Sequence, residues 1–305
     1  IPGGMRVGAV ATIIELMRAR FTLTRLSPPG PRCTLCVMGL NVPVVGVCSM
    51  GEAIVRGLLA GGWDPESVDA LVRNPARAAD LSESLGIRAD VDPAVVIPSS
   101  DVVVIAVKPK DMPEVLQAIA DHLDRESVVV SVAAGVTLDA IEGILVDQAV
   151  VRSMPNTPAI VGEGVTGAAI GHRATEAQVD RAISVLEAIG AVEVLDEAVL
   201  DAVTAVSGTG PAYVFLLAEA LIEAAIREGM SRRVAETFVH QTIRGAGHLL
   251  TETGIGAPRL RTQVTSPGGT TAAAVHVLEE RGFRALVEDA VRAAAKRSRE
   301  LGAGE

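Results

Sequence analysis

Between Val44 and Leu195, short apolar runs alternate with amphipathic stretches, and this alternation limits the fold more than any other feature of the chain. The run V-V-V-I-A-V at Val102–Val107 has no polar position. A strand apolar on both sides must be covered on both faces, as strands of a parallel sheet are. Further strands are expected at Val44–Val47 (just after Pro43), Val68–Val72, Ser127–Val132, Ala149–Ser153, Gly162–Ile170 and Ala191–Leu195. Helical periodicity places helices at Met50–Ala60, Pro75–Leu85, Met112–Leu123, Leu138–Leu145 and Thr175–Ile189. Strands alternating with helices make βαβ units and a parallel sheet with helices on both faces.

After about Leu200 the strand pattern stops. Pro211–Glu228, Ser231–Thr251, Ala257–Gln263, Thr271–Glu280 and Phe283–Leu301 all read as helices. The expected fold class is therefore α/β: an N-terminal Rossmann-like dinucleotide-binding domain, residues 38–200, followed by an all-α domain, residues 201–305. The apolar stretch Ala212–Ile226 is interrupted by Glu219 and Glu223 and is too short to span a bilayer. The helix carrying it is apolar around most of its circumference, more than one packing face needs, so it is expected to lie at a subunit interface.

Residues 1–37 differ from the rest. They hold five Arg against one Glu, a balance of +4, in a chain of net charge −10. With P-P-G-P and no core period, they read as an atypical extension: a transit-like leader, a disordered segment, or non-native sequence upstream of Met38. Cys33 and Cys36 lack a second ligand pair, so no metal site is expected. With Cys48 the cysteine count is three, an odd number that fits a reducing compartment and a cytoplasmic protein. The acidic balance and 2% aromatic content argue against nucleic acid or an anionic membrane as partners.

The first strand runs into V-V-G-V-C-S-M-G-E-A-I, Val44 to Ile54, where a Rossmann fold places G-x-G-x-x-G. The first glycine of that pattern makes the tight turn, the second admits the pyrophosphate and the third lets helix approach strand. Gly46 and Gly51 fit the first and third positions, and Cys48 replaces the second. A cysteine side chain there is expected to reduce cofactor affinity. The second strand ends in V-R-N-P-A-R, with Arg73, Asn74 and Arg77 but no acid to bind ribose hydroxyls. Guanidinium groups suit a 2′-phosphate, so NADP is favoured and NAD is the secondary possibility. Lys108, in A-V-K-P, stands at a carboxyl edge, where open α/β sheets bind ligands. Near the other end of the chain, V-T-S-P-G-G-T-T opens directly into a helix. Its N–H groups and partial positive charge can hold an anion without a basic side chain.

Three segments, R-S-M-P-N-T-P at Arg152–Pro158, T-A-V-S-G-T-G-P-A-Y at Thr204–Tyr213 and V-T-S-P-G-G-T-T, join A-V-K-P and the first loop. Together they resemble the pyrroline-5-carboxylate reductases, from about Val44 to Leu301. The resemblance implies hydride transfer from NAD(P)H to the C=N carbon of 1-pyrroline-5-carboxylate, giving L-proline in the last step of proline biosynthesis. It implies that Ser266, Gly269 and Thr270 hold the substrate carboxylate while Thr271 meets the ring nitrogen as hydrogen-bond partner or proton relay. It implies cofactor contacts from Gly46, Ser49, Met50 and Gly51 at the phosphates and from Arg73 and Asn74 at the 2′-phosphate. Ala106, Val107, Lys108 and Pro109 would lead to the nicotinamide, with Ala133 and Ala134 opposite. Glu197 matches a position near the nicotinamide, and Asn156 lies in a site-facing loop. Homo-oligomers built from dimers through the helical domain are implied as well. Thr209 stands where this family more often has serine.

Two alternatives stay open on the sequence. One is an NADP-linked reductase of another cyclic imine or of a β-hydroxyacid. The lack of a lysine on the helix beginning G-P-A-Y-V-F counts against a hydroxyacid enzyme. The other is a degenerate paralogue that binds NADP weakly because of Cys48.

Overall fold

The computed structural model describes residues 39–302, so the basic extension, the Cys33–Cys36 pair and Met38 lie outside the described residues. The sheet-bearing part contains, in chain order, β1 (Val42–Val45), α1 (Ser49–Ala60), β2 (Val68–Leu71), α2 (Pro75–Leu85), β3 (Arg88–Asp90) and α3 (Pro93–Val96). Next come β4 (Val102–Ile105), α4 (Met112–Ala120), β5 (Val128–Ser131), α5 (Leu138–Glu142) and β6 (Ala149–Met154). β7 (Gly164–Ile170), α6 (Glu176–Glu187) and β8 (Gly190–Val194) complete it. The eight strands form one sheet in the order β3-β2-β1-β4-β5-β6-β7-β8.

Every residue of β1, β2, β4 and β5 is buried, as parallel strands covered on both faces must be. Successive side chains alternate between two cores. Val42 and Val44 pack with Ile54, Leu58, Leu81 and Leu186 from α1, α2 and α6. Val45 and Ile105 pack on the other face with Leu116, Ile119 and Ile141 from α4 and α5. Start signals behave as their chemistry predicts. Asn74 caps α2 with Pro75 behind it, and Thr175 and Gln178 form a capping box on α6.

Three expectations need correction. The sheet is not wholly parallel: β6 and β7 run antiparallel, with Val151 opposite Ile170 and Met154 opposite Gly167. Residues 155–163 between them are fewer than the dozen or so that a parallel crossover needs. Pro43 lies inside β1 rather than before it; pairing with β4 starts only at Val44, so no ladder bond to β4 is lost at the proline. β3 and α3 were not anticipated, because R-A-D has no apolar run. β3 is instead anchored to the sheet by the Arg88–Asp69 ion pair across register-matched positions.

Past β8, α7 (Leu200–Val203), a π-helical turn (Thr204–Gly208) and α8 (Gly210–Arg227) follow almost without a break. Then come α9 (Arg232–Glu252), α10 (Ala257–Gln263), α11 (Thr270–Glu280) and α12 (Phe283–Gly302). The extra backbone of the π-turn is satisfied by hydroxyls: Thr209 donates to the Ala205 carbonyl at 2.6 Å, and Tyr213 donates to it at 3.1 Å.

Packing separates two compact units. Residues 39–217 and 279–302 form the sheet unit, in which Leu200 enters the core and Ser298 of α12 donates to Asp201 at 2.6 Å. Residues 218–278 form a helical unit with a small core of Ile222, Ala235 and Val239. The helical run from Glu197 to Arg227 is 31 residues, long and apolar enough to cross a membrane by length and composition, so the shorter count at Ala212–Ile226 excludes nothing.

Candidate active site

The carboxyl ends of β1, β4 and β5, adjacent in the sheet, bring most of the expected cofactor residues to one edge of the sheet unit. Gly46 leaves β1 at φ +86 and donates its N–H to the Leu71 carbonyl at 2.9 Å. A Cβ there would lie 2.5 Å from Val107 Cγ1 and 3.0 Å from the Ala106 carbonyl. A Cβ on Gly51 would lie 2.6 Å from the Gly46 carbonyl oxygen. Both glycines are therefore dictated by close backbone approach. Together they leave a cradle in front of α1, whose first-turn N–H groups at Ser49, Met50 and Gly51 have no intrahelical acceptor.

Cys48 caps α1 with φ −96 and ψ −159, a conformation open to any residue. Its side chain is exposed, with Sγ 3.5 Å from the Ala106 carbonyl. The missing second glycine therefore adds no backbone strain. It adds the volume of one thiol at the loop.

Electrostatics separates the three polar residues at the tip of β2. Asn74 spends its side-chain oxygen on the Ala76 N–H of α2 at 2.9 Å. Arg77 is held by Glu52 at 2.6 Å and by Asp80. The Arg56 hydrogen bond, helped by Arg77, holds the Glu52 carboxyl below its ordinary range against the opposing effect of burial. Arg73 alone presents an open guanidinium: its side chain is 82% exposed and touches Asp111 at 3.1 Å.

At the end of β4, Ala106 is buried and donates its N–H to the Val45 carbonyl at 2.8 Å, Val107 is half-buried, and Lys108 and Pro109 are exposed. Past β5, Ala133 is buried and Ala134 half-buried. Two expected contacts have other commitments. Asn156 is buried; its oxygen accepts from Val165 N–H at 3.0 Å and its amide donates to the Ser207 carbonyl at 3.2 Å. Those bonds tie the β6–β7 connection to the π-turn. Glu197 Oε1 accepts from Arg152 and from the Leu138 N–H, both at 2.7 Å. The sequence gives Arg152 no role of its own. Its pairing with Glu197 has no sequence signal, because 45 residues separate the two.

In the helical unit, Gly269 donates to the Ser266 carbonyl at 3.0 Å, Gly268 adopts φ +70, and α11 begins at Thr270. Ser266 and Thr270 are exposed, and Gly269 and Thr271 half-buried. The turn thus opens directly into a helix, whose first N–H groups have no intrahelical acceptor. Elsewhere, Asp139, Glu142 and His172 bring ligand atoms within 4.8 Å of one another, a grouping that sequence spacing did not reveal. Local pairing accounts for Glu142, which accepts from the His172 N–H at 2.9 Å and faces Arg173 at 3.9 Å.

Comparison with known proteins gives this geometry its family. A model described as pyrroline-5-carboxylate reductase dimerisation matches residues 197–301, and one described as NADP oxidoreductase, coenzyme F420-dependent, matches residues 41–135. The pyrroline-5-carboxylate reductase of Methanosarcina acetivorans is 40% identical over 264 residues, covering 86% of this chain and 98% of that protein. The chain belongs to the pyrroline-5-carboxylate reductase family. The solved reductase of Coxiella burnetii is similar at TM-score 0.82 and 37% identity, covering 86% of this chain and 98% of that one. The Plasmodium falciparum pyrroline carboxylate reductase, solved with NADP bound, is similar at TM-score 0.78 and 27% identity, covering 87% and 99%. Thr209, where the resemblance leads one to expect serine, has its hydroxyl 2.6 Å from the Ala205 carbonyl and 2.9 Å from Tyr213 OH.

Proposed function

We propose that this protein reduces 1-pyrroline-5-carboxylate to L-proline, the last step of proline biosynthesis, using NADPH in preference to NADH. The observation that carries the reading is 40% identity along 98% of a reductase of that name. The cradle between Gly46 and Gly51 and the open Arg73 fit a dinucleotide bearing a 2′-phosphate. When bound, the nicotinamide supplies the hydride that the C=N carbon accepts.

The chain's own residues bind, orient and handle the proton. The α1 N-terminus receives the phosphates and Arg73 the 2′-phosphate. Ala106–Pro109, Ala133 and Ala134 line the path to the nicotinamide. Ser266, Gly269 and Thr270 hold the substrate carboxylate through N–H and hydroxyl donors. The Thr271 hydroxyl hydrogen-bonds the ring nitrogen, whose protonation makes the C=N carbon more electrophilic. We assign residues 38–200 to cofactor binding and 201–305 to dimerisation and substrate binding, in a cytoplasmic homo-oligomer built from dimers. The matched dimerisation segment and the exposed apolar face of α8, including Phe215 and Leu216, support that assembly.

Thr271 tests the assignment. Thr271→Ala is expected to lower kcat by about 100-fold with unchanged NADPH affinity, and Thr271→Ser to recover most of the rate. Full turnover in Thr271→Ala would remove Thr271 from the mechanism.

A further inference from the structure

The sheet order places β2 and β4 on either side of β1. Arg73 follows β2 by two residues, and Asp111 closes the short 3-10 turn Pro109–Asp111 that follows β4. Their ion pair, Nη2 to Oδ2 at 3.1 Å, therefore links the two segments flanking the β1–α1 loop. Its two members differ sharply: Arg73 is 82% exposed, whereas Asp111 is 16% exposed. The carboxylate is seated in the fold, and the guanidinium reaches out of solvent to meet it. Asp111 precedes α4 but makes no side-chain capping bond to it, so its carboxylate is spent on Arg73.

We propose that Asp111 sets the cofactor preference by competing with the 2′-phosphate of NADPH for Arg73. This rests on the cofactor reading above. A 2′-phosphate that takes Arg73 competes with the Asp111 carboxylate for the guanidinium and then sits near that negative charge. A ribose 2′-hydroxyl meets no such opposition, and a carboxylate can accept its hydrogen bond. A pair whose guanidinium is 82% exposed is open to exchange, while like charges at short range separate affinities measurably. Asp111 thereby tempers a preference for NADPH that Arg73 alone would make stronger.

The test is direct binding of NADPH and NADH to the full chain by calorimetry, for wild type, Asp111→Asn, Arg73→Ala and the double variant. Asp111→Asn is expected to tighten NADPH about tenfold and to change NADH by less than about twofold. Arg73→Ala is expected to weaken NADPH more than about tenfold and to reduce the effect of Asp111→Asn, since the competition acts through Arg73 and only the direct charge repulsion is left. Asp111→Asn that weakens NADPH, or shifts both nucleotides equally, overturns the inference while the cofactor reading stands. Wild type that binds neither nucleotide overturns the cofactor reading and the inference with it.

Discussion

The sheet unit and the helical unit solve the burial problem in opposite ways. Around the sheet, each face of the strands meets its own set of helices, and side chains such as Leu58, Ile105 and Leu116 are sealed. In residues 218–278 the buried core is Ile222, Ala235 and Val239, while Phe238 is 63% exposed and Leu249, Leu250 and Val264 are exposed as well. Where exposed apolar side chains join into one patch, they mark an interaction surface. The contrast teaches that the sealed core lies in the sheet unit, whereas the helical unit leaves apolar side chains exposed within residues 197–301, the segment that matches a dimerisation family.

The largest break in that comparison should come from the sealed core. Leu58→Ala leaves a cavity and should cost about 2–5 kcal/mol of unfolding free energy in chemical denaturation. Phe238→Asp should cost far less in the fold but weaken self-association about 100-fold, read by sedimentation over a concentration series. An association constant unchanged by Phe238→Asp would remove that face from the interface. Gly46→Ala places a Cβ against Val107 and Ala106 at positive φ, and should cost about 1–3 kcal/mol together with more than tenfold in NADPH affinity. Glu52→Gln is the smallest change. Its carboxyl is held below the ordinary range by Arg56 and Arg77, so the pair's contribution is present above the unfolded carboxylate pKa and lost as pH falls through the lower folded value. The variant's Tm deficit, about 1–3 °C at pH 7, should vanish in acid.

Most of the sheet unit was legible because its signals are local. V-V-V-I can only be a strand covered on both faces, and N-P and T-E-A-Q carry their own helix caps. The antiparallel β6–β7 step and the edge strand β3 were not legible. One depends on how short a connection is, and the other is held by a cross-strand ion pair rather than by apolar pattern. At the site, Gly46 and Gly51 were readable because close approach forbids any other residue there. The commitments of Asn156 and Glu197, and the Arg73–Asp111 pair, were not, since each joins residues far apart in the chain. Cys48 looked like a fault in the loop, yet its backbone is one that any residue adopts.

The central claim is that this chain is a working reductase despite Cys48. NADPH oxidation by the purified full chain with 1-pyrroline-5-carboxylate, with NADH in parallel and L-proline quantified, tests it most directly. The account predicts one L-proline formed per NADPH consumed, with NADPH preferred over NADH. A folded protein that binds NADPH and forms no L-proline would contradict it.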